Sequence, residues 1–440
     1  MTAVERIPVL DQSGVSKTTP AFRRLAIAAS LGSAIEHYDF FVYAFTAPIV
    51  FDQFFFPRMD SRASTMAVYA TFAVGFVARP LGGIVFGHYG DRLGRKTVLM
   101  MTFLLMGIAS FFIGCLPSYD SVGLLAPLAL VVLRFIQGFA FGGEYMNAVS
   151  LTLENAPSQR RGFFASWINA SGPVGVICAS GLIALLGFIY SREQFASWVW
   201  RVPFLLSLLL VLIGSYVRAH VDESALFLAA REKFEERRMP LMTILRDWKK
   251  PVLQACLVNM VHSAFNYMST VFVLGYAVKT LAMPQSSITS GVTVANIVEM
   301  CAVPVIAAFS DRLGRRPFIM LGIVLAAIWY PVFFQILLTK NALAIMGGFV
   351  VSIGLIHATM FAPEAAFTAE LFPTRVRVSG SSLGKQLGIV LGGGLAPLIG
   401  AALMGSSTSF TPVVLYFEAI AVMALIAVFF APENARKALS

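Results

Sequence analysis

The sequence predicts an all-α membrane protein: twelve transmembrane helices in two pseudo-symmetric six-helix bundles. Three observations carry that expectation. Of 440 residues, 58% are hydrophobic and only 13% are charged, whereas a soluble domain carries about 25% charged residues. The apolar residues gather into runs close to the ~20 needed to cross a bilayer as a helix. A charged stretch between two such runs, Gly87–Lys96 (GHYGDRLGRK), returns near Asp311 as SDRLGRRP.

The runs, in order, are Phe22–Val50, Ala63–Phe86, Thr97–Leu116, Val122–Tyr145, Gly162–Ile189, Trp200–Arg218, Pro251–Val278, Ser286–Phe309, Phe318–Leu338, Ala342–Ala366, Val378–Met404 and Thr411–Ala431. Backbone groups cannot go unpaired in lipid, so each run is expected to be a helix. The polar stretch Val221–Lys250, containing REKFEERR, splits them six and six. The expected organisation is a tail at 1–21, a first bundle at 22–220, a central loop at 221–250, a second bundle at 251–431 and a tail at 432–440. A second anchor supports the repeat: Glu154-Asn-Ala-Pro157 with Arg161 recurs as Glu370-Leu-Phe-Pro373 with Arg377. Parallel six-helix repeats of this kind mark a large class of transporter folds.

The net charge is +10, from 33 Lys and Arg against 23 Asp and Glu. These basic residues sit in short turns between apolar runs, without a basic tail, which sets nucleic acid aside. They crowd on the side that holds both termini and the hinge-like repeats. The other side has only Arg58, Arg62, Arg192, Arg201, Lys279 and Lys340. The positive-inside rule then places both termini in the cytoplasm, in a multi-pass protein of the cell (inner or plasma) membrane. The polar start and the long first run argue against a cleaved signal, whose apolar region is about 7–15 residues. Cys115, Cys178, Cys256 and Cys301 stand singly, without disulfide or metal spacing, and are expected to be membrane-buried packing thiols. No metal site, cofactor or nucleophile–base set is expected, so the chain does not read as an enzyme.

Ionisable residues within spans cost ~2.5–3.5 kcal/mol each even on lenient scales, and so are functional candidates. In the first helix Glu36, Asp39, Phe40 and Tyr43 follow i, i+3, i+4, i+7 spacing and share a face. Two carboxylates one turn apart repel, so one should hold a proton more tightly. Arg134, with Gln137 on its side of the fourth helix, can grip a carboxylate through two hydrogen bonds, or can lock to Asp39 or Glu36 as a structural pair. Arg79 lies about 12 Å in from the hinge and is a candidate for a second anion contact. The seventh helix carries Asn259, His262 and Asn266 on one stripe, which either lines a cavity or joins helices. The tenth carries His357 and Glu364. Lys385 is either a counter-ion or snorkels outward, and Glu299 reads equally as a structural pair or a functional group. In the hinges, Gly87, Gly90 and Gly94 are expected to form a tight turn. Asp91 can sit against a helix N-terminus, as can Asp311. Glu154 and Glu370 are expected acceptors for Arg95, Arg315 or Arg316. Arg92, Arg161, Arg312, Gly314 and Arg377 complete the two copies.

GHYGDRLGRK resembles the loop 2–3 signature of the major facilitator superfamily, with Ala307 replacing the first glycine in the second copy. Arg134-Phe-Ile-Gln137-Gly138 resembles its fourth-helix signature. EHYDFFVYAF (Glu36–Phe45), ARPLGGIVFGHYGDRLGRK (Ala78–Lys96), FIQGFAFGGEY (Phe135–Tyr145) and ELFPTRVR (Glu370–Arg377) resemble the metabolite:H⁺ symporter branch, although His37 stands where that branch has Trp or Phe. The branch includes permeases for shikimate, α-ketoglutarate, citrate and proline or betaine. The resemblance implies a major facilitator fold and proton-coupled uptake of a small organic acid, driven by the proton-motive force and working as a monomer. It also implies a conformational latch at Asp91. The alternatives are a betaine- or proline-type symporter, a proton-coupled export antiporter suggested by Gly172-Pro173-Val-Gly175, and a non-transporting receptor or scaffold, against which the buried charges argue.

Overall fold

The structure is a computed structural model that describes residues 20–93, 95–142, 161–219, 244, 246–373, 376–404 and 409–434. Among them there is no strand. The twelve expected helices are present as α1 Pro20–Thr46, α2 Ser61–Leu93, α3 Arg95–Cys115, α4 Leu125–Phe141, α5 Arg161–Ile189, α6 Arg201–Ala219, α7 Lys249–Lys279, α8 Gln285–Leu313, α9 Arg315–Leu338, α10 Ala342–Glu370, α11 Arg377–Met404 and α12 Thr411–Phe429. Eight of the described helices are long and apolar enough to cross a bilayer. A ninth span is the pair Arg192–Val199 and Arg201–Ser215, bent by 46°. Met100–Cys115 and Leu125–Phe141 are apolar but shorter, and α1 is 27 residues long with carboxylates in its interior.

Local chemistry sets several helix starts. Asp60 accepts from the backbone N–H of Arg62 and Ala63, both at 3.0 Å, and opens α2. Asn341 does the same for Leu343 and Ala344 and opens α10. Both satisfy donors that a helix cannot pair internally. Among the described residues short π-helical turns interrupt five spans: Ala47–Phe51 ends α1, Met268–Phe272 lies within α7, Val350–His357 within α10, Val390–Gly394 within α11, and Phe195–Val199 precedes α6. The first two occupy equivalent places in the two halves. Such turns shift the register of side chains and recur at functional sites.

The charged hinges differ from the expected turn. In the first copy α2 continues through Gly87, Gly90 and Asp91 to Leu93, and α3 starts at Arg95. In the second, α8 runs to Leu313 and α9 starts at Arg315, with Gly314 at φ 101°. In the second copy the break is one residue wide and not the length of the motif. The helix keeps its internal hydrogen bonds up to the residue that must adopt a left-handed φ, a conformation glycine takes without steric cost. Gly94 and Glu154 lie outside the described residues, as do the side chains of Asp91, Arg92, Arg95 and Arg161. The cysteine expectation is also corrected. Cys256 is buried, but Cys115, Cys178 and Cys301 are exposed, because they lie on outward helix faces, where a bilayer and not the protein covers apolar groups.

Within the first half α2 packs on α4, α3 on α6 and α1 on α6; in the second, α7 packs on α11 and α12. The halves meet chiefly along α5 and α8, and along α2 and α11. Hydrogen bonds join them at both ends. At the hinge end the Phe163 N–H donates to Asp311 Oδ2 at 2.9 Å, and Gln386 Nε2 donates to the Gly142 carbonyl at 3.3 Å. At the other end Lys279 Nζ meets Asp52 Oδ2 at 2.6 Å, and Arg62 reaches the Ala402 carbonyl at 3.3 Å.

Candidate functional site

The first bundle places two guanidiniums side by side. Glycines make this possible by letting α2 and α4 touch backbone to backbone. A Cβ on Gly138 would lie 1.9 Å from the Gly75 carbonyl oxygen, and one on Gly142 1.9 Å from that of Arg79. On α2, Phe72, Phe76 and Arg79 lie at i, i+4 and i+7 and so face one way. Arg134 projects from α4 toward them. Arg134 is fully buried and Arg79 is 3% exposed.

Aromatic rings enclose both cations. Arg79 Cζ lies 4.3 Å from the Phe40 centroid, 4.3 Å from Phe76 and 4.1 Å from Phe141. Arg134 Cζ lies 4.3 Å from the same Phe40, 4.0 Å from Tyr43 and 5.3 Å from Phe72. Each desolvated cation–π contact is worth ~0.5–2 kcal/mol. Rings accept no strong hydrogen bond, however. Arg134 donates to Gln137 Oε1, but its Nε and Nη2, and Nε and Nη2 of Arg79, have no hydrogen-bond partner among the described residues. The second bundle adds one wall: Tyr267 of α7 stacks on Phe41 at 5.6 Å and 11° and meets Phe76 at 5.2 Å.

Glu36, Asp39, Phe40 and Tyr43 do not act as one face. Phe40 and Tyr43 turn to the guanidiniums, whereas the buried Asp39 carboxylate faces Ser110 of α3 and Ser207 of α6. The four positions span an arc of about 100°, at 3.6 residues per turn, and the edges of that arc meet different neighbours. Gln137 ties the two sides together, donating to Ser110 Oγ at 2.8 Å and to the Asp39 carbonyl at 3.2 Å. Arg134 is therefore not locked to Asp39. Glu36 is also buried.

In the second bundle the polar residues of four helices join in one chain. Lys385 Nζ of α11 donates to Glu364 Oε2 of α10 at 2.9 Å, and is buried, so it does not snorkel. Thr368 Oγ1 donates to Glu364 Oε1 at 3.0 Å. Asn259 Nδ2 of α7 donates to Thr368 Oγ1 at 3.3 Å, and His262 Nε2 meets Asn259 Oδ1 at 3.3 Å. His262 Nδ1 meets His357 Nε2 of α10 at 3.4 Å, and His357 Nδ1 meets Glu299 Oε1 of α8 at 2.5 Å. Asn266 lies half-buried beyond this chain.

The second hinge carries a buried cluster. Arg315 grips Glu370 with Nε and Nη2, both at 2.7 Å, and lies 3.4 Å from Asp311. Asp311 also accepts from the first turn of α5, so it does sit on a helix N-terminus. Arg316 turns instead to the Val428 and Phe429 carbonyls and, through its N–H, to Glu433. Arg377 is buried and Arg312 exposed. The sequence reading left out the aromatic cage of Phe72 and Phe76, Thr368, and the Asp52–Lys279 bridge. The i, i+4, i+7 spacing of Phe72, Phe76 and Arg79 was a legible signal, hidden among 38 phenylalanines.

A twelve-helix bundle pair with buried charges at its centre is the architecture of a secondary transporter, and comparison with known proteins agrees. Residues 29–385 match the model of the Major Facilitator Superfamily. The chain is 35% identical to the shikimate transporter of Escherichia coli, over 87% of this chain and 88% of that one. It is 36% identical to the inner membrane metabolite transport protein YhjE of Escherichia coli, over 94% and 95%, and 31% identical to the proline/betaine transporter of the same organism, over 95% and 85%. A solved D-xylose-proton symporter superposes with a TM-score of 0.74 at 16% identity, covering 95% of this chain and all of that one. The chain belongs to the Major Facilitator Superfamily. It is a multi-pass membrane transporter of the metabolite:H⁺ symporter branch and not an enzyme.

Proposed function

We propose that the protein imports a small carboxylate together with protons, by rocking its two bundles about the Arg79–Arg134 cage. The carrying observation is the pair of buried guanidiniums whose Nε and Nη2 donors lack partners. Buried polar groups are normally satisfied, and a charged one left open is costly. A carboxylate accepts two parallel N–H bonds from each such fork. The aromatic walls suit a compact organic body attached to that carboxylate. Because a membrane potential opposes anion entry by ~2.3 kcal/mol per charge per 100 mV, uptake calls for compensating protons.

In this reading Asp311 on the α5 N-terminus and the Asp52–Lys279 bridge hold opposite ends of the bundle interface, and each breaks in turn. Asp91, Glu154, Arg161 and Arg377 serve the equivalent end-closing role. Both termini face the cytoplasm of a bacterial-type inner membrane, the bundles divide at the 221–250 loop, and one chain suffices.

The test is reconstitution in liposomes with an imposed pH gradient and a panel including shikimate, citrate, α-ketoglutarate, proline and betaine. Accumulation of one or more acids that dissipates with the gradient is expected. If no carboxylate accumulates while proline or betaine does, the zwitterion reading replaces this one.

A further inference from the structure

The polar chain of the second bundle fixes where protons can stand. Asn259 Nδ2 donates to the Ala255 carbonyl at 2.8 Å, an acceptor only, which orients the amide. Its Oδ1 then faces His262 Nε2, so that nitrogen carries a hydrogen. A neutral imidazole has one donor and one acceptor nitrogen. A neutral His262 therefore presents a bare Nδ1 to His357 Nε2, which must donate. His357 Nδ1 and Glu299 Oε1, 2.5 Å apart, then need one hydrogen between them. Either Glu299 is protonated or His357 is an imidazolium.

If His262 is the imidazolium instead, His357 Nε2 accepts and its Nδ1–H donates to a Glu299 carboxylate. All three arrangements hold one proton more than a carboxylate with two neutral imidazoles. The state without that proton sets two lone pairs facing across 3.4 Å. It also leaves Glu299, 2% exposed, as an uncompensated charge in a span, which is the expensive condition for a buried carboxylate.

Among the described residues, the charges beyond this unit in the same polar chain are paired: Glu364 of α10 meets Lys385 of α11 at 2.9 Å. From the first bundle, α5 presents Asn169, which donates to the Phe361 carbonyl at 2.9 Å. The Phe361 ring covers both imidazoles, stacked on His357 at 5.2 Å and 5.7 Å from His262. Asp39 and Glu36, the buried carboxylates of α1 weighed above, lie in the first bundle, Asp39 against serines.

We propose that Glu299, His357 and His262 form the proton-carrying unit of this transporter, holding one H⁺ in the second bundle, apart from the substrate cage in the first. The proton moves between Glu299 Oε1, His357 and His262 by transfer along the two hydrogen bonds. Helix α7 joins the two functions, because it carries His262 in the unit and Tyr267 against the cage. The assignment rests on the proton-symport reading above, and its test separates the two.

Liposomes carrying wild type, His357→Gln, His262→Gln or Glu299→Gln are assayed for gradient-driven accumulation and for equilibrium exchange of the carboxylate that the wild type transports best. For one proton, a gradient of one pH unit supports up to about tenfold accumulation. The variants are expected to fall to no accumulation while exchange stays within about threefold of wild type. Wild-type accumulation in all three variants overturns the assignment and leaves symport standing.

If the wild type moves no carboxylate, the symport reading fails. The unit is then judged by ¹⁵N-histidine NMR on the full-length wild-type protein in nanodiscs, which also decides the matter if the variants do not fold. Two histidines coupled to each other, and releasing one proton together, support it. Two neutral histidines unchanged across pH 5–9 overturn it.

Discussion

The two bundles share a topology but solve the problem of buried charge in opposite ways. In the first, Arg79 and Arg134 sit among five aromatic rings with donors left open. In the second, Glu299, His357, His262, Asn259, Thr368, Glu364 and Lys385 are linked end to end across four helices. Rings stabilise a cation without consuming its hydrogen bonds, so the first arrangement stays receptive to an anion. A closed hydrogen-bond chain leaves little for a ligand to bond, but lets a proton change places. The repeat therefore supplies two similar frames, and their fillings specialise.

The largest effect expected from breaking this contrast is in the second bundle. Glu364→Gln removes the carboxylate that Lys385 Nζ meets at 2.9 Å, and breaking this buried ion pair should cost ~3–5 kcal/mol of stability. Adding Lys385→Met should recover most of it. Thermal unfolding of the purified variants in detergent measures both, and equal stability of the single variant and wild type would show that the pair is not buried as described.

Next is Arg134→Lys. It keeps the charge but loses the planar fork. Losing one charge-assisted hydrogen bond costs ~1.5–3 kcal/mol, so kcat/KM for carboxylate uptake should drop by about 10- to 150-fold, with little change in unfolding temperature. Unchanged uptake would remove Arg134 from the substrate site and erase the contrast with the second bundle.

The smallest effect belongs to the contact between the bundles. Asp311→Asn keeps an acceptor for the Phe163 N–H but removes the negative charge at the α5 N-terminus, worth ~0.3–1 kcal/mol. A single cysteine reporter at Gln386, on a cysteine-free background, should then label about two- to fivefold faster at the hinge end. A slower rate would mean that this charge holds the bundles apart.

How much was legible beforehand can be judged from particular residues. Arg79, Arg134, His262, His357, Glu364 and Lys385 were visible because polar side chains stand out in apolar runs. Their partners were not. Helical spacing relates residues of one helix, whereas the Glu299–His357 contact joins positions 58 apart and Lys385–Glu364 joins different helices. The stripe that grouped Asp39 with Phe40 and Tyr43 dissolved because neighbouring helices divide a single face between them. The tight turn expected over Gly87 and Gly90 gave way to continuous helix because glycine permits a turn without requiring one.

The sequence by itself determined the twelve helices, the two-fold repeat and the identity of the charged groups. Bilayer thickness and backbone hydrogen bonding dictate these things locally. Only the tertiary structure decided which charges are met and which are left open. That depends on how closely α2 and α4 approach over Gly75, Gly138 and Gly142, and on the side of α7 that meets α10. Those distances belong to pairs of helices, and no single run of residues encodes them.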